Sequence, residues 1–244
     1  MKKIETLFLR SYEVGLGGPK ERRGQLVVPE IRPGCEWVFA GEGVATEKFD
    51  GTACAVIEGR LYKRRCINDN DRKPFPLGWI DCFGEGWTDS RPGWVPVRDG
   101  PEDRWHREAW ANTRWAMQYE ADREVGFLFG SHQDGTYELV GPRVQSNPYD
   151  LMEHQLWRHG SNRLKRLDDG LLLALRYISN TAELSFGGIQ SFLSVTPVEG
   201  IVWHHHDGRM AKIKRRDFNL PWPLHKNRPK VSDAKLDAIV GDEP

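Results

Sequence analysis

The sequence predicts an α+β fold of antiparallel sheets with flanking helices. Three observations favour this class: many short runs of strand-forming residues, two-residue glycine turns that join some of these runs, and few segments of helical composition. The 244 residues suit one domain or at most two, and a hydrophobic fraction of 39% excludes wholesale disorder. We therefore expect a single folded domain over residues 1–244.

The first strand signals lie in the N-terminal third of the chain. Residues 35–40 and 44–49 are predicted strands with a glycine-containing linker between them. Residues 52–57 and 60–65 are predicted to pair as a hairpin, because Glu58-Gly59 is a two-residue turn whose glycine can adopt positive φ. These runs supply the first part of the predicted sheets.

The middle of the chain is predicted to carry an insertion. Residues 68–101 are rich in Asp, Gly, Pro and Trp, which predicts a long surface excursion. Residues 105–122 have a helix-forming composition, and Trp105 and Ala109 share one face. We expect the two segments to form a loop and helix insertion over about residues 68–124.

The elements after the insertion are predicted from turn residues and periodicity. Residues 127–130 and 136–140 are predicted strands, and an Asn-Pro pair predicts the start of a helix over residues 147–159. Residues 171–178 form an apolar run that fits either a helix or a strand, and residues 187–193 are a predicted short helix. These elements alternate in type, as expected of an α+β domain.

The clearest hairpin lies near the C-terminus. Residues 198–206 and 209–214 are strand-like, and Asp207-Gly208 between them provides the turn. Residues 219–244 contain several prolines and an acidic end, which predicts a tail that wraps over the domain.

Location and redox state are predicted from missing features. No stretch approaches the roughly 18 apolar residues that a membrane helix needs, and the N-terminus lacks the apolar run of a signal peptide. We therefore expect a cytoplasmic protein. The four cysteines include no C-x-x-C pair, so we expect free thiols rather than a zinc site.

The segment with the clearest chemical potential contains Lys48. The chain has no G-x-x-x-x-G-K-[ST] loop, so any nucleotide is bound without it. Lys48 lies in a strand-like run, with Asp50 two positions later on the same face and Gly51 following. A lysine can be a nucleophile only as the free amine. An ordinary exposed lysine beside a turn explains these residues equally well, so both interpretations remain open.

The C-terminal hairpin carries further charged residues. Alternation along its first strand predicts one face that carries Glu199, Ile201, Trp203 and His205. The second strand is expected to bring Lys212 and Lys214 across the same sheet. Together these side chains offer a carboxylate for a divalent metal ion and two ammonium groups for phosphate.

Five short blocks resemble the ordered motifs of the covalent nucleotidyltransferases, which include ATP-dependent DNA and RNA ligases and messenger-RNA capping enzymes. The blocks are Glu47-Lys48-Phe49-Asp50-Gly51, Leu61-Tyr62-Lys63-Arg64, Tyr137-Glu138-Leu139-Val140-Gly141-Pro142, Val198-Glu199-Gly200-Ile201-Val202-Trp203 and Lys212-Ile213-Lys214. Any one block is weak, whereas five in the family's order are a strong signal. The resemblance covers residues 44–216 and implies the ATP-grasp-like adenylation domain of ligases.

The resemblance also implies a role for each matched residue. Lys48 would attack the α-phosphate of ATP and carry the AMP. Asp50 and Glu199 would hold Mg²⁺ or Mn²⁺, directly or through its water. The implied nucleotide contacts are Glu47 to the adenine, Arg64 and Glu138 to the ribose or phosphate region, and Lys212 and Lys214 to phosphate. An aromatic platform for adenine is also implied, without a residue that the motifs assign to it.

Within this class the likeness is strongest to RNA ligases, namely the phage enzymes of the second type and the small 5′-3′ RNA ligase family that includes the vertebrate enzyme. Asn147-Pro148-Tyr149 belongs to this likeness together with the blocks around Glu138 and Glu199. It implies an enzyme that joins RNA 5′-phosphate and 3′-hydroxyl ends through a lysyl-AMP and an adenylylated RNA. Its partners would be ATP and RNA ends.

Two departures from the wider class bear on the alternatives. Thr52-Ala53-Cys54 lacks the arginine that many members carry after the lysine motif, which disfavours a typical DNA ligase. Only 30 residues follow Lys214, so no OB-fold domain is expected. A minimal DNA ligase or a capping-type enzyme is the runner-up, and a non-catalytic RNA-binding relative is the alternative from another class.

Several conspicuous residues have a simpler structural interpretation. Consecutive residues of a strand point to alternate faces, so His204-His205-His206 cannot all ligate one ion. Trp79, Trp87 and Trp94 could stack on RNA bases, but tryptophans in loop-rich segments more often fix the loop to the core.

The zero net charge conceals a polarised chain. Lys and Arg total 35, as do Asp and Glu, which alone lowers the expectation of a nucleic-acid partner. Residues 60–73 and 203–230 are nonetheless basic, and both overlap the blocks expected to meet phosphate. We therefore expect a modest and salt-sensitive affinity for RNA.

Overall fold

The structure is a computed structural model that describes residues 4–21, 23–68, 74–82, 90–121, 133–160 and 184–224. The strands are β1 (Glu5–Thr6), β2 (Phe8–Arg10), β3 (Val27–Ile31), β4 (Gly43–Lys48), β5 (Thr52–Ile57), β6 (Arg60–Asn68), β7 (Ile80–Asp81), β8 (Ser90–Pro96), β9 (Gly135–Val140), β10 (Gln155–Arg158), β11 (Gly200–His205) and β12 (Met210–Lys214). The α-helices are α1 (Glu36–Phe39), α2 (Arg104–Ala121) and α3 (Phe186–Val195). The predicted α+β class is thereby confirmed.

A four-stranded sheet has the order β1-β12-β11-β4, with β1 parallel to β12 and the other neighbours antiparallel. One face is buried against α3 in an apolar cluster that includes Ile201, Trp203 and Ile213. Ser185 caps α3 by accepting a hydrogen bond from the Gly188 amide at 3.0 Å. Both the C-terminal hairpin and the short helix are confirmed predictions.

A six-stranded sheet has the order β10-β9-β5-β6-β8-β7, and all its neighbours are antiparallel. One face packs against α2, where Ala109 joins a cluster with Tyr137, Leu139 and Leu156. The hairpin of β5 and β6, the strand β9 and the helix α2 agree with the sequence predictions. A third, two-stranded sheet pairs β2 with β3.

Two predicted elements were wrong. Residues 35–40 do not form a strand but the short helix α1, because Trp37 and Val38 turn into the core from adjacent positions. Residues 147–159 do not form a helix. Asn147 has a φ of 50° and its side chain exchanges two hydrogen bonds with the Leu151 backbone at 2.9 and 3.0 Å, which closes a loop that leads into β10.

The predicted surface excursion over residues 68–101 needs a third correction. Ser90–Pro96 forms β8 between β6 and β7, and Trp94 on this strand is buried. This strand was not predicted because Pro92 and Pro96 lie within it, and proline is rare inside strands. The predictions for residues 127–130 and 171–178, and for most of the tail, lie outside the described residues. Among the described helices, none is long and apolar enough to cross a membrane.

Candidate active site

The two large sheets are joined by three residues. Strand β4 of the four-stranded sheet ends at Lys48, and strand β5 of the six-stranded sheet begins at Thr52. Phe49, Asp50 and Gly51 form the connection, which we call the link. A Cβ atom on Gly51 would lie 2.2 Å from the Leu139 carbonyl oxygen, so the link requires glycine at this point.

Lys48, Gly200 and Lys214 lie in one row across the four-stranded sheet. Residues directly opposite each other in antiparallel strands point to the same face, so the two lysines share a face. Gly200 between them leaves room, because a Cβ atom there would lie 2.1 Å from the carbonyl oxygen of Ile213. The strand register therefore brings the lysines of two distant blocks together.

The carboxylate of Glu199 lies between these cations. Its Oε2 is 2.5 Å from Lys48 Nζ, and its Oε1 is 3.7 Å from Lys214 Nζ and 4.0 Å from Arg216 Nη2. Burial raises the pKa of Glu199, while the ion pair with Lys48 opposes that shift. Burial and the charge of Lys48 lower the pKa of Lys214. The cluster is a compact ion network in which Glu199 is buried, the two lysines are partly buried and Arg216 is exposed.

The predicted face of the C-terminal hairpin was wrong in one respect. Lys212 lies opposite Val202 and Lys214 lies opposite Gly200, so both lysines point away from the face of Ile201 and Trp203. Glu199 precedes the first residue of β11 and is therefore not bound by the alternation of that strand. Lys214 and Glu199 still meet, because Glu199 lies just before the start of β11.

The six-stranded sheet contributes Glu138. Its Oε1 accepts a hydrogen bond from the Gly51 amide at 3.0 Å, and its Oε2 lies 2.8 Å from His159 Nε2. Trp157 lies directly opposite Glu138 in the register of β9 and β10, so both point to one face. This carboxylate is thus fixed against the link from the opposite sheet.

Arg64 lies on the same face of the six-stranded sheet as Glu138. Ala53 lies opposite Glu138, and Ala55, on the same face of β5, lies opposite Tyr62. Arg64 follows Tyr62 by two positions and therefore points to that face as well. The Nε atom of Arg64 is buried and has no hydrogen-bond partner among the described residues. A buried guanidinium donor of this kind suits an anionic ligand such as phosphate.

Asp50 is held by two aromatic side chains. Its amide donates to Tyr149 Oη at 2.6 Å, and its Oδ2 accepts from Trp222 Nε1 at 2.8 Å. Burial, reinforced by nearby carboxylates, raises the pKa of Tyr149. The ring of Trp157 lies 4.7 Å from that of Tyr149 and 5.0 Å from that of Phe49. An aromatic wall therefore lines the six-stranded side of the link.

Glu47 is separated from this group by the alternation of β4. It lies opposite Ile201, whose side chain is in the core, whereas Lys48 points to the other face. Burial, with a smaller contribution from the charge of Glu199, raises the pKa of Glu47 to about 8. The Glu47 carboxyl is therefore protonated at neutral pH.

The raised pKa predicts a pH-dependent stability that Glu47→Gln removes. Between pH 4.5 and 8 the unfolded carboxyl ionises while the folded one keeps its proton, so wild-type stability falls as pH rises through this window. Relative to wild type, the free energy of unfolding of Glu47→Gln should rise by on the order of 2–4 kcal/mol from pH 5 to pH 8. Urea unfolding at both pH values measures it. Glu30→Gln, at an exposed site, is the control, and parallel pH curves for Glu47→Gln and wild type would contradict the prediction.

We call the region beside the link, between the Lys48 face of the four-stranded sheet and the Glu138 face of the six-stranded sheet, the cleft. Sequence reasoning missed four residues around it: Tyr149, Trp157, His159 and Trp222. The Asn-Pro-Tyr block contains Tyr149, but no role was assigned to it. Trp157 and His159 could have been found by alternation only if β10 had been recognised as a strand. Trp222 lies in the segment predicted to be a tail and has no sequence signal.

The first two histidines of the His204-His205-His206 run have different partners, and one of the three tryptophans lies in the core. His204 contacts Thr46 Oγ1 at 3.0 Å, whereas the next residue, His205, contacts Glu42 Oε2 at 3.1 Å. Within the described ranges no three His, Cys, Asp or Glu side chains group as metal ligands. Trp94 is in the core, as expected, and Trp87 lies outside the described residues.

Comparison with known proteins identifies the class. The family model for RNA ligase 1 matches residues 85–236, which is more than half of the chain. The chain is 26% identical to RNA ligase 1 of Rattus norvegicus over 260 residues, covering 80% of this chain and 74% of the relative. It is 28% identical to RNA ligase 1 of Pongo abelii, covering 74% and 69%, and 29% identical to RNA ligase 1 of Danio rerio, covering 74% and 68%.

All of these proteins are named as RNA ligases. The chain belongs to the RNA ligase 1 family. The matched segment includes Glu138, Glu199 and Lys214, and it begins after the block around Lys48. Strand β4 and the link therefore lie outside the segment that the family model matches.

Proposed function

We propose that this protein is an ATP-dependent RNA ligase that joins 5′-phosphate and 3′-hydroxyl RNA ends through a covalent lysyl-AMP on Lys48. The observation that carries the proposal is the row of Lys48, Gly200 and Lys214, with the Glu199 carboxylate 2.5 Å from the Lys48 amine. A lysine held beside a second cation and a carboxylate at a cleft is suited to attack phosphate.

The reaction has three balanced steps. Lys48 first loses a proton to solvent. Its free amine attacks the α-phosphorus of ATP, a P–N bond forms with loss of a second proton, and the P–O bond to pyrophosphate breaks. An oxygen of the RNA 5′-phosphate then attacks the same phosphorus, the P–N bond breaks, and the lysine nitrogen takes up a proton. Finally, an RNA 3′-hydroxyl attacks the 5′-phosphate, gives its proton to solvent, and expels AMP. Lys214 and Lys212 lie on the Lys48 face and would neutralise charge on the phosphates.

The residues of the cleft fit a nucleotide. Glu138 is already fixed by the Gly51 amide and His159, so its remaining oxygen lone pairs can accept from ribose hydroxyls. The buried Arg64 Nε provides a donor for phosphate or ribose. Trp157 shares the face of Glu138 and is the best candidate for the adenine platform. Glu47 points away from the Lys48 face, so its contribution to adenine recognition would come through its backbone.

The residues also fit Mg²⁺ or Mn²⁺. Glu199 and Asp50 offer carboxylate oxygens, which these ions prefer. Mg²⁺ at nucleotide sites is usually held by one or two carboxylates together with substrate phosphates, so a full protein cage is not required. When bound, the ion would offset negative charge on the transferring phosphate. The chain's part would be to hold Glu199 beside Lys48 and to hold Asp50 in the link that follows it.

Labelled substrates test the proposal. Purified protein incubated with α-labelled ATP and Mg²⁺ should acquire covalent label that survives a denaturing gel, and addition of 5′-phosphorylated RNA should remove this label as joined RNA forms. Absence of label would indicate a non-catalytic RNA-binding relative and would contradict the proposal. Matched nicked and single-stranded substrates of RNA and DNA separate the remaining alternatives. Preference for an all-DNA nick would favour the minimal DNA ligase instead, and label transfer to a 5′-diphosphate end would favour capping.

A further inference from the structure

The C-terminal strap, which we define as residues 219–224, brings Trp222 to the cleft. Its indole N–H donates to Asp50 Oδ2 at 2.8 Å across 172 positions of sequence. Among the described residues, Trp222 is the side chain that donates to this carboxylate. A residue from the end of the described chain is thereby joined to the link that follows Lys48.

The strap is fixed to the core immediately before Trp222. Arg215 is buried, and its Nε donates to the Pro221 carbonyl oxygen at 2.8 Å. Its Nη1 donates to two carbonyl oxygens at the C-terminal end of α3. One belongs to Leu193 in the last turn, and the other, at 2.6 Å, belongs to Thr196 directly after the helix. The Leu220 amide donates to the Arg215 carbonyl at 2.9 Å. The position of Trp222 is therefore set by the folded core.

Asp50 is held from two directions. Tyr149 Oη accepts from the Asp50 amide at 2.6 Å, and the Tyr149 ring lies 6.4 Å from that of Trp222. Trp222 is only partly buried and belongs to none of the apolar core clusters of the described residues. The hydrogen bond to Asp50 is therefore the specific contact that Trp222 makes at this site.

We propose that Trp222 is a positioning residue of the adenylylation site, which holds one oxygen of the Asp50 carboxylate so that the other stays directed toward the bound nucleotide. The inference rests on the proposed function of the cleft. It assigns to the strap a role in the reaction and not only in covering the domain. A carboxylate that accepts a hydrogen bond from a fixed donor loses rotational freedom.

A matched pair of substitutions tests the role. Trp222→Phe keeps an aromatic ring and removes the donor, while Trp79→Phe removes an equivalent bond, from Trp79 Nε1 to Asp81 Oδ1 at 2.9 Å, away from the cleft. Trp222→Phe should lower the single-turnover rate of Lys48 adenylylation about tenfold, with half-saturating ATP changed less than about twofold. Trp79→Phe should react like wild type. A wild-type rate in Trp222→Phe, or equal losses in both variants, would overturn the inference.

A second measurement does not depend on activity. The indole N–H signal of Trp222 in a ¹H–¹⁵N spectrum is assigned as the one absent from Trp222→Phe. In the Lys48→Ala background, ATP with Mg²⁺ should shift this signal and leave that of Trp79 unchanged. A stationary Trp222 signal overturns the inference. If the wild type forms no adenylate, the proposed function fails, while this spectrum still decides whether Trp222 responds to the nucleotide.

Discussion

Lys48→Ala is expected to abolish formation of the protein adenylate, with a loss of at least about 1000-fold in rate. The reason is that the amine nitrogen of Lys48 is the bond-forming atom of the proposed first step. Gel autoradiography with α-labelled ATP measures the result. Lys20→Ala, at an exposed lysine outside the cleft, is the matched control and should label like wild type.

Lys48→Arg keeps the positive charge at this position but removes the nucleophile. Arginine preserves a cation beside Glu199 but remains protonated at all accessible pH values, so it cannot attack phosphorus. We expect this variant to keep wild-type stability and to form no adenylate. Label that persists in either Lys48 variant would show that another residue carries the AMP, and the proposed mechanism would have to be abandoned.

Glu199→Ala is expected to have the second largest effect. Removal of this buried carboxylate leaves Lys48, Lys214 and Arg216 facing each other without a counter-charge. The rate of adenylylation should fall about 100-fold, because the amine and the phosphate-binding lysine lose their orientation. Stability should fall by about 1–3 kcal/mol, less than for a fully buried pair because Lys48 is partly exposed.

The control for Glu199→Ala removes an ion pair elsewhere. Glu13 pairs with Arg32 at 2.6 Å, well outside the cleft. Glu13→Ala should lower the free energy of unfolding modestly and leave adenylylation unchanged. Urea unfolding and single-turnover labelling are measured on both variants. An active Glu199→Ala enzyme would remove the carboxylate from the mechanism and leave it a structural role.

Those parts of the fold that depend on local signals could be predicted from the sequence. The hairpins around Glu58-Gly59 and Asp207-Gly208 were predicted because each turn type requires its glycine, and α2 was predicted from composition. Strand β8 was missed because its prolines argue against pairing, although sheet neighbours accommodate them. Strand β10 was missed because the Asn-Pro pair before it also occurs at helix starts.

The candidate site also has residues that could be predicted from the sequence and contacts that could not. Lys48, Glu138, Glu199 and Lys214 lie in blocks that the sequence displays, and the strand registers place Lys48 and Lys214 on one face. The contacts that fix Asp50 could not be predicted, because they join residues 99 and 172 positions apart through a loop and the strap. No local pattern encodes such pairings, since they depend on how the two sheets are packed.

The three-residue link has a mechanical consequence. Phe49, Asp50 and Gly51 tie the end of β4 to the start of β5, so the two sheets cannot separate at this point. A rotation of one sheet against the other about this link would move the distant edge strands β1 and β7 furthest and the adjoining Lys48 least. In the proposed ligase, such a rotation would let an RNA strand enter and leave while the Lys48 amine stays beside the phosphate.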